Sequence, residues 1–172
     1  QAGINLEMGD LTSVLNESIS LVGHQLTRRN IKVIREFSEV PTIKYDGNQL
    51  KQVFINLLIN AIESMDAGGP LKIGLMKEPG GAREVLIRIT DKGCGIEKEI
   101  ISKIFDPFFT TKRKSGGTGL GLSVTKGIIE KHKGRISVDS VIGVGTEISV
   151  YLPFGSAQGD GDGDGQNQSS ND

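Results

Sequence analysis

The feature that most constrains this chain is an apolar stretch at 47–66 that follows Asp46 and carries two asparagines. Its apolar residues recur at helical spacing, which predicts a helix capped by Asp46: Leu50, Val53, Phe54, Leu57, Leu58, Ala61, Ile62 and Met65. Asn56 and Asn60 are four residues apart, so they lie on one side of that helix. Because a buried amide without a partner costs about 1–3 kcal/mol, this side is predicted to look into a polar cavity. The alternative is that each amide bonds a neighbouring loop.

The remaining pattern predicts an α+β domain at 1–154. Two further long helices are expected at 10–29 and 120–133, with a short helix near 98–103. Alternating runs predict strands at 31–37, 42–45, 71–77, 84–90, 135–139 and 146–152. Three helices on one face of a mixed, mostly antiparallel sheet is the packing that these elements favour. Residues 155–172 hold one apolar side chain, so we expect a disordered, acidic Gly/Asp/Asn/Ser-rich tail.

Composition excludes several classes of function. The net charge of -1 argues against nucleic acid and anionic membrane surfaces as partners. No apolar run approaches the roughly 20 residues of a membrane span. The single cysteine, Cys94, cannot form an internal disulfide, which fits a reducing cytoplasm, and we expect it to be a small packed residue. The two histidines, His24 and His132, lack a nearby second ligand, which argues against zinc. A chain that begins with Gln1 also suggests a fragment of a longer protein.

Asp91 ends the apolar run at 84–90 and opens the sequence Asp-Lys-Gly-Cys-Gly. A carboxylate only accepts hydrogen bonds, so Asp91 suits the exocyclic amino group of adenine. Gly93 and Gly95 would let the backbone turn tightly and approach a flat ligand closely. The alternative is a simple Asp-Gly turn.

A second group of glycines, at 116–121, leads directly into the helix expected at 120–133. The free N–H groups at a helix N-terminus suit phosphate oxygens. The spacing matches neither the Walker loop nor the dinucleotide fingerprint. Upstream, Lys112, Arg113 and Lys114 are cations that could pair with phosphates, although at Arg113 and Lys114 a solvated loop is an equal alternative. The segment that joins these cations to the glycines is expected to form a mobile lid. Three phenylalanines are expected to anchor that lid on the core: Phe105, Phe108 and Phe109.

These motifs together resemble a known family. Asn56 with Asn60, and the sequences at 91–95, 105–112 and 117–122, resemble the N, first-glycine, F and second-glycine boxes of histidine kinase catalytic domains. The sequence Gly-Val-Gly-Thr at 143–146 looks like the final glycine motif. All five occur in order across residues 5–154. The resemblance implies the Bergerat fold, a two-layer α/β sandwich shared with Hsp90, gyrase B and MutL.

The resemblance also implies roles at the matching positions. Asn60 would ligate Mg²⁺, and Asp91 would bond the adenine amino group with support from Thr146 through water. Asn56 and Lys112 would contribute to catalysis, with Lys112 reaching the γ-phosphate. The residues implied to contact the nucleotide are Asn56, Asn60, Asp91, Gly93, Gly95, Ile96, Lys112, Gly117, Thr118, Gly119, Leu120, Gly121 and Thr146.

The residue type at position 56 distinguishes the classes of protein that share the Bergerat fold. The ATPases and the serine-directed kinases of this superfamily resemble one another in placing a glutamate there, which in the ATPases activates water. Asparagine cannot take a proton at neutral pH, so hydrolysis should be slow. The short lid and the string Phe-Phe-Thr-Thr-Lys look more like the nitrogen-regulation type of kinase. A non-catalytic nucleotide switch and an ATPase clamp remain as alternatives.

The family's phosphoacceptor histidine lies in an H-E-type motif on a dimerising helical hairpin, and neither His24 nor His132 has that context. The resemblance therefore implies a domain that binds Mg-ATP and donates the γ-phosphoryl group to a histidine outside this sequence. The implied partners are that hairpin and a response regulator receiver domain. We expect the isolated domain to be monomeric, cytoplasmic and without direct membrane contact, whether or not its parent is membrane-anchored.

Overall fold

A computed structural model describes residues 3–111 and 118–155. In chain order its elements are β1 (Glu7–Gly9), α1 (Leu11–Leu21), α2 (Gly23–Arg28), β2 (Ile31–Phe37), β3 (Ile43–Tyr45), α3 (Gly47–Ser64), β4 (Gly69–Lys77), β5 (Glu84–Asp91), α4 (Lys98–Ile101), α5 (Gly121–Lys131), β6 (Arg135–Val141) and β7 (Gly145–Pro153). Apart from Gly155, the tail predicted to be disordered lies outside these residues, so both that expectation and the domain boundary stay predictions.

Five strands form the main sheet in the order β2-β4-β5-β7-β6. The β2–β4 pair is parallel, and the other three pairs are antiparallel. A separate two-stranded sheet pairs β1 with β3. The predicted mixed, mostly antiparallel sheet is confirmed. We did not predict β1, because three residues are too few to establish a hydrophobic period.

The helices cover one face of the main sheet. Alternate strand residues, at 71, 73 and 75, at 85, 87 and 89, and at 148, 150 and 152, share one buried core with the apolar sides of α1, α3 and α5. Because side chains alternate between the faces of a strand, all of these residues lie on the same side of the sheet. The fold is therefore the α+β two-layer sandwich that the sequence indicated.

Helix α3 lies between α1 and α5 and contacts both. It begins where predicted, because Asp46 Oδ1 accepts a hydrogen bond from the N–H of Gln49 at 3.0 Å. The N–H of Asp46 donates in turn to Nε2 of buried His132, at 3.0 Å, just beyond the end of α5. The start of α3 is thus tethered to the end of α5.

Two predicted helices differ from the structure. The helix expected at 10–29 is interrupted at Val22, which ends α1 and precedes the short α2. The helix expected near 98–103 ends at Ile101. Across residues 3–111 and 118–155, none of the helices combines the length and the apolar character that crossing a membrane requires.

Candidate functional site

A group of polar residues lies at one end of the sheet, on the face that the helices cover. Asp91, Thr146 and Ser140 continue the inward alternation of β5, β7 and β6, and the strand register places Thr146 between the other two. Asp91 and Thr146 are buried, at 6% and 7% exposure. Polar side chains thus replace the core where the three strands meet this edge.

Asp91 is held by backbone donors. Its Oδ1 accepts hydrogen bonds from the N–H of Gly93 at 2.8 Å and from the N–H of Thr146 at 3.3 Å. The first of these is the Asp-Gly turn that the sequence left as an alternative. The turn does not exclude a ligand role, because a carboxylate has about four acceptor sites on its two oxygens.

Ser140 is a site residue that the sequence analysis missed. Its Oγ lies 2.8 Å from Oγ1 of Thr146, and it also accepts from the N–H of Ile96 at 2.8 Å. Ser140 therefore joins Ile96 to Thr146. A signal was present, because Ser140 is the third inward position of a strand whose first two, Ile136 and Val138, are apolar.

Gly93 and Gly95 are required by the chain's own packing. A Cβ on Gly93 would overlap the side chain and carbonyl of Ser64, at the end of α3. Gly95 has a φ of +75°, and a Cβ there would overlap the carbonyl of Val141. Hydrogen bonds on either side secure the loop, from Cys94 N to Ser64 O and from Gly143 N to Cys94 O. We expected these glycines to admit a ligand, but close contact with other backbone segments is sufficient to require them.

The two asparagines of α3 differ in their contacts. Asn56 Nδ2 donates to the carbonyl of Gly121 at 3.3 Å and to Oγ1 of Thr125 at 3.5 Å. Asn60 is half-buried and makes no hydrogen bond within residues 3–111 and 118–155. The loop-bonding alternative therefore holds for the nitrogen of Asn56, while the Asn60 amide remains available to a ligand.

Side chains four residues apart on α3 connect the two ends of the site. Asn56 contacts the start of α5, and Ser64 contacts the loop at Gly93. Asn60 lies between them on the same side of the helix. Eight residues of helix cover about 12 Å, so α3 forms one wall that runs from the second glycine group to the first.

The second glycine group leads into α5, which begins at Gly121 without a capping side chain. Gly119 has a φ of +70°, its carbonyl accepts from the N–H of Phe108 at 3.0 Å, and a Cβ on it would crowd the Phe108 backbone. A Cβ on Gly121 would make only an ordinary contact, at 3.9 Å, with Asn56 Cγ. The packing of the described residues therefore requires glycine at 119 but not at 121. Thr118 and Leu120 lie exposed beside them.

Residues 45–156 match the family model described as histidine kinase-, DNA gyrase B-, and HSP90-like ATPase. This chain belongs to that family. Sporulation kinase E of Bacillus subtilis is 38% identical over 151 residues, which cover 87% of this chain and 20% of that protein. The chain thus spans only part of its curated relatives, from 20% of sporulation kinase E to 35% of sporulation kinase C of the same organism.

Solved structures share the fold. Full-length ShkA in complex with AMPPNP gives a TM-score of 0.79 at 26% identity, over 90% of this chain and 32% of that one. The nucleotide-free catalytic domain of ThkA gives a TM-score of 0.77 at 31% identity, over 87% of this chain and 95% of that one. The match to almost the whole ThkA domain identifies the fold as that of a histidine kinase ATP-binding domain.

The F box departs from our expectation of three anchored phenylalanines. Phe105 and Phe109 are half-buried, but Phe108 is 66% exposed and has a φ of +64°. The prediction for Phe108 is wrong, because its left-handed backbone turns the ring outward. Ile104, which is buried, takes its place in anchoring this segment. Lys112 and Gly117 lie outside the residues that the structure describes, so their predicted roles are untested.

Cys94 is also placed differently from our expectation. We expected a small packed residue, but the side chain is exposed. Both flanking glycines pack against other segments, and the backbone N–H and C=O of Cys94 are bonded to Ser64 and Gly143. The loop is therefore held by its backbone and its glycines, and the Cys94 side chain faces solvent.

Proposed function

We propose that this domain binds Mg-ATP and donates the γ-phosphoryl group to a histidine on a separate dimerisation hairpin, as one step of two-component signalling. The observation that carries the proposal is the position of Asn60. Its amide has no hydrogen bond in the described structure, and it lies on α3 between the glycine loop at 91–95 and the glycines that lead into α5. The family match and the AMPPNP complex of ShkA support nucleotide binding.

At the base end, Asp91 accepts the exocyclic amino group of adenine. The two backbone N–H groups on its Oδ1 fix the orientation of the carboxylate. Thr146, which lies beside Asp91 and is bonded to Ser140, supports the base through water. Gly93, Gly95 and Ile96 form the loop that borders this pocket.

At the phosphate end, the first turn of α5 presents backbone N–H groups that no side chain caps. Thr118, Gly119, Leu120 and Gly121 approach the phosphates there, and glycine at 121 keeps that approach open. The Asn60 amide oxygen is a neutral, hard donor of the kind Mg²⁺ accepts, and Mg²⁺ takes its other ligands from water and phosphates. The ion would neutralise phosphate charge as the γ-phosphoryl group leaves ADP for the histidine nitrogen.

Asn56 favours transfer over hydrolysis. Its side-chain nitrogen already donates to the Gly121 carbonyl, and an amide cannot accept a proton from water. A water molecule at this position would therefore lack a general base. We propose slow ATP turnover by the isolated domain, with catalysis through positioning and charge neutralisation.

The test combines this domain with the dimerisation hairpin of its parent or of a relative, and with ATP labelled in the γ-phosphoryl group. The domain alone should bind nucleotide without labelling itself. With the hairpin, label should appear on the hairpin and be released by acid, as expected of a phosphohistidine. Asn60→Asp tests the metal role, because it keeps an oxygen ligand while changing its charge.

Two outcomes would contradict the proposal. Tight ATP binding without transfer to any hairpin would favour the nucleotide switch, and rapid ATP hydrolysis would favour the ATPase clamp. Asn56→Glu distinguishes the second case, since it supplies the missing base and should raise turnover only if a water molecule is positioned there.

A further inference from the structure

We propose that Thr125 is a positioning residue for the reaction, which restrains the Asn56 amide in the orientation that directs its oxygen into the proposed Mg-ATP site. The inference rests on the proposed function. It assigns a role to a residue outside all of the sequence motifs that pointed to this site.

The contacts of Asn56 carry the inference. Asn56 Nδ2 lies 3.3 Å from the carbonyl oxygen of Gly121 and 3.5 Å from Oγ1 of Thr125. Gly121 and Thr125 are four residues apart on α5, so both acceptors lie on the side of α5 that meets α3. Thr125 is fully buried, at 0% exposure. A buried hydroxyl at a helix–helix contact needs a partner, and Asn56 is that partner.

The chemistry of the Gly121 carbonyl selects one orientation of the amide. A carbonyl oxygen can only accept, so the NH₂ group of Asn56 must face Gly121. The amide oxygen then points away from α5 and accepts no hydrogen bond within the described residues. In the opposite orientation the amide oxygen would lie against the Gly121 carbonyl, where two acceptors repel, and the N–H groups would face the site.

Thr125 matters because the amide is held by two long contacts and by no short one within the described residues. The distances to Gly121 and Thr125, 3.3 Å and 3.5 Å, both exceed the 2.7–3.2 Å that is typical of an N–H···O bond. The Thr125 hydroxyl is a second partner for the same NH₂ group, and it restrains the rotation of an amide whose orientation the Gly121 carbonyl selects. Removal of the Thr125 hydroxyl should therefore let the Asn56 amide rotate more freely. Its oxygen would then be directed into the site for less of the time.

The contact between Thr125 and Asn56 is not the main interaction that packs α5 against α3. At its other end, α5 is tethered to α3 by His132, whose Nε2 accepts from the N–H of Asp46. Ile128 and Ile129 of α5 also belong to the shared core. Loss of one hydroxyl should consequently leave α5 in place, and the effect of Thr125 can be measured in a folded protein.

The experiment compares Thr125→Val, which keeps the shape and removes the hydroxyl, with Thr125→Ser, which keeps the hydroxyl. The first readout is the ¹⁵N–¹H signal of the Asn56 side-chain amide in the nucleotide-free protein. The second is ATP affinity by calorimetry with and without Mg²⁺. Thermal unfolding of each variant reports whether the fold is intact.

Thr125→Val should shift the Asn56 signal and weaken Mg-ATP binding about fivefold, the loss expected for one hydrogen bond, with less change when Mg²⁺ is absent. Thr125→Ser should restore both. Unchanged signal and affinity in Thr125→Val would overturn the inference, as would equal losses in both variants. If the valine variant does not fold, Thr125→Ala replaces it.

The two proposals fail in different ways. A wild-type domain that gives no heat with Mg-ATP contradicts the proposed function. An Asn56 signal that is the same in the wild type and in the valine variant contradicts the role of Thr125, whatever the domain binds, because that readout requires no nucleotide.

Discussion

The two ends of the proposed nucleotide site, here called the base end and the phosphate end, are built by different means. At the base end, Gly93 and Gly95 pack against backbone segments, and the Asp91 carboxylate is oriented by two N–H groups. At the phosphate end, the packing allows a side chain at Gly121, and the Asn60 amide has no partner in the described residues. The packing of the chain itself therefore accounts for the groups at the proposed base end, whereas the proposed phosphate end keeps an amide that no described residue uses.

The largest expected effect tests the base end, through Gly95→Ala. The substitution forces a residue with a Cβ into a φ of +75° and places that Cβ against the Val141 carbonyl. We expect the free energy of unfolding to fall by about 3 kcal/mol or more, as measured by urea denaturation. Gly143→Ala is the control, because its φ is +73° but the space around it is open, and it should cost about 1–2 kcal/mol. Equal losses in the two variants would refute the packing explanation.

Asp91→Asn tests whether the Asp91 carboxylate recognises the adenine base, as proposed. The amide oxygen can still accept from Gly93 and Thr146, so the fold should persist, but an N–H group replaces an acceptor. We expect ATP affinity to fall about 10- to 100-fold, as for the loss of a hydrogen bond to a charged group, and the preference for ATP over GTP to relax. Calorimetry with both nucleotides measures this, and unchanged affinities would refute the assignment.

Gly121→Ala tests the phosphate end, where we expect ATP affinity to change and stability to stay almost constant. The new methyl group meets only Asn56 Cγ, at 3.9 Å, so stability should stay within about 1 kcal/mol of the wild type. If phosphate oxygens approach this backbone, ATP affinity should fall about tenfold. Binding with wild-type affinity would mean that the phosphates lie elsewhere.

The smallest effect concerns Asp46, which supports α3 and lies at neither end of the site. Its pKa is held below the usual range of a carboxyl, mainly by the N–H of Gln49 and also by the N–H groups of Asn5 and Asn48, against an opposing effect of burial. A lowered folded pKa gives stability that is present above the unfolded pKa of about 3.9 and is lost as the pH falls through the folded value.

Between pH 5 and pH 3, the wild type should therefore lose more stability than Asp46→Asn, by less than about 1 kcal/mol. Asparagine keeps the cap but cannot titrate. Parallel pH curves of the free energy of unfolding would contradict the role of this carboxylate. ATP affinity at neutral pH should be the same in both proteins. Asp46→Asn is therefore a control for the affinity changes predicted at the base end and the phosphate end.

Local patterns in the sequence predicted most of the fold. Helical spacing placed Asn56 and Asn60 on one side of α3, and the cap at Asp46 was predicted from residue type and position. The order of the boxes indicated the family, which the match at 45–156 confirms. These features succeed because periods of 2 and 3.6 residues and helix caps depend on neighbours within a few positions along the chain.

The tertiary structure decided how distant segments share the site. Asn56 meets Gly121 across 65 positions, and Asp91 meets the N–H of Thr146 across 55. The packing of Gly95 on Val141, the connecting role of Ser140 and the exposure of Phe108 and Cys94 likewise depend on which segments become neighbours. Sequence determined which chemical groups this protein carries and on which side of each element they lie. Only the fold determined which of those groups satisfy one another and which remain for a ligand, because hydrogen bonds and steric overlap act over a few ångströms of space and not along the chain.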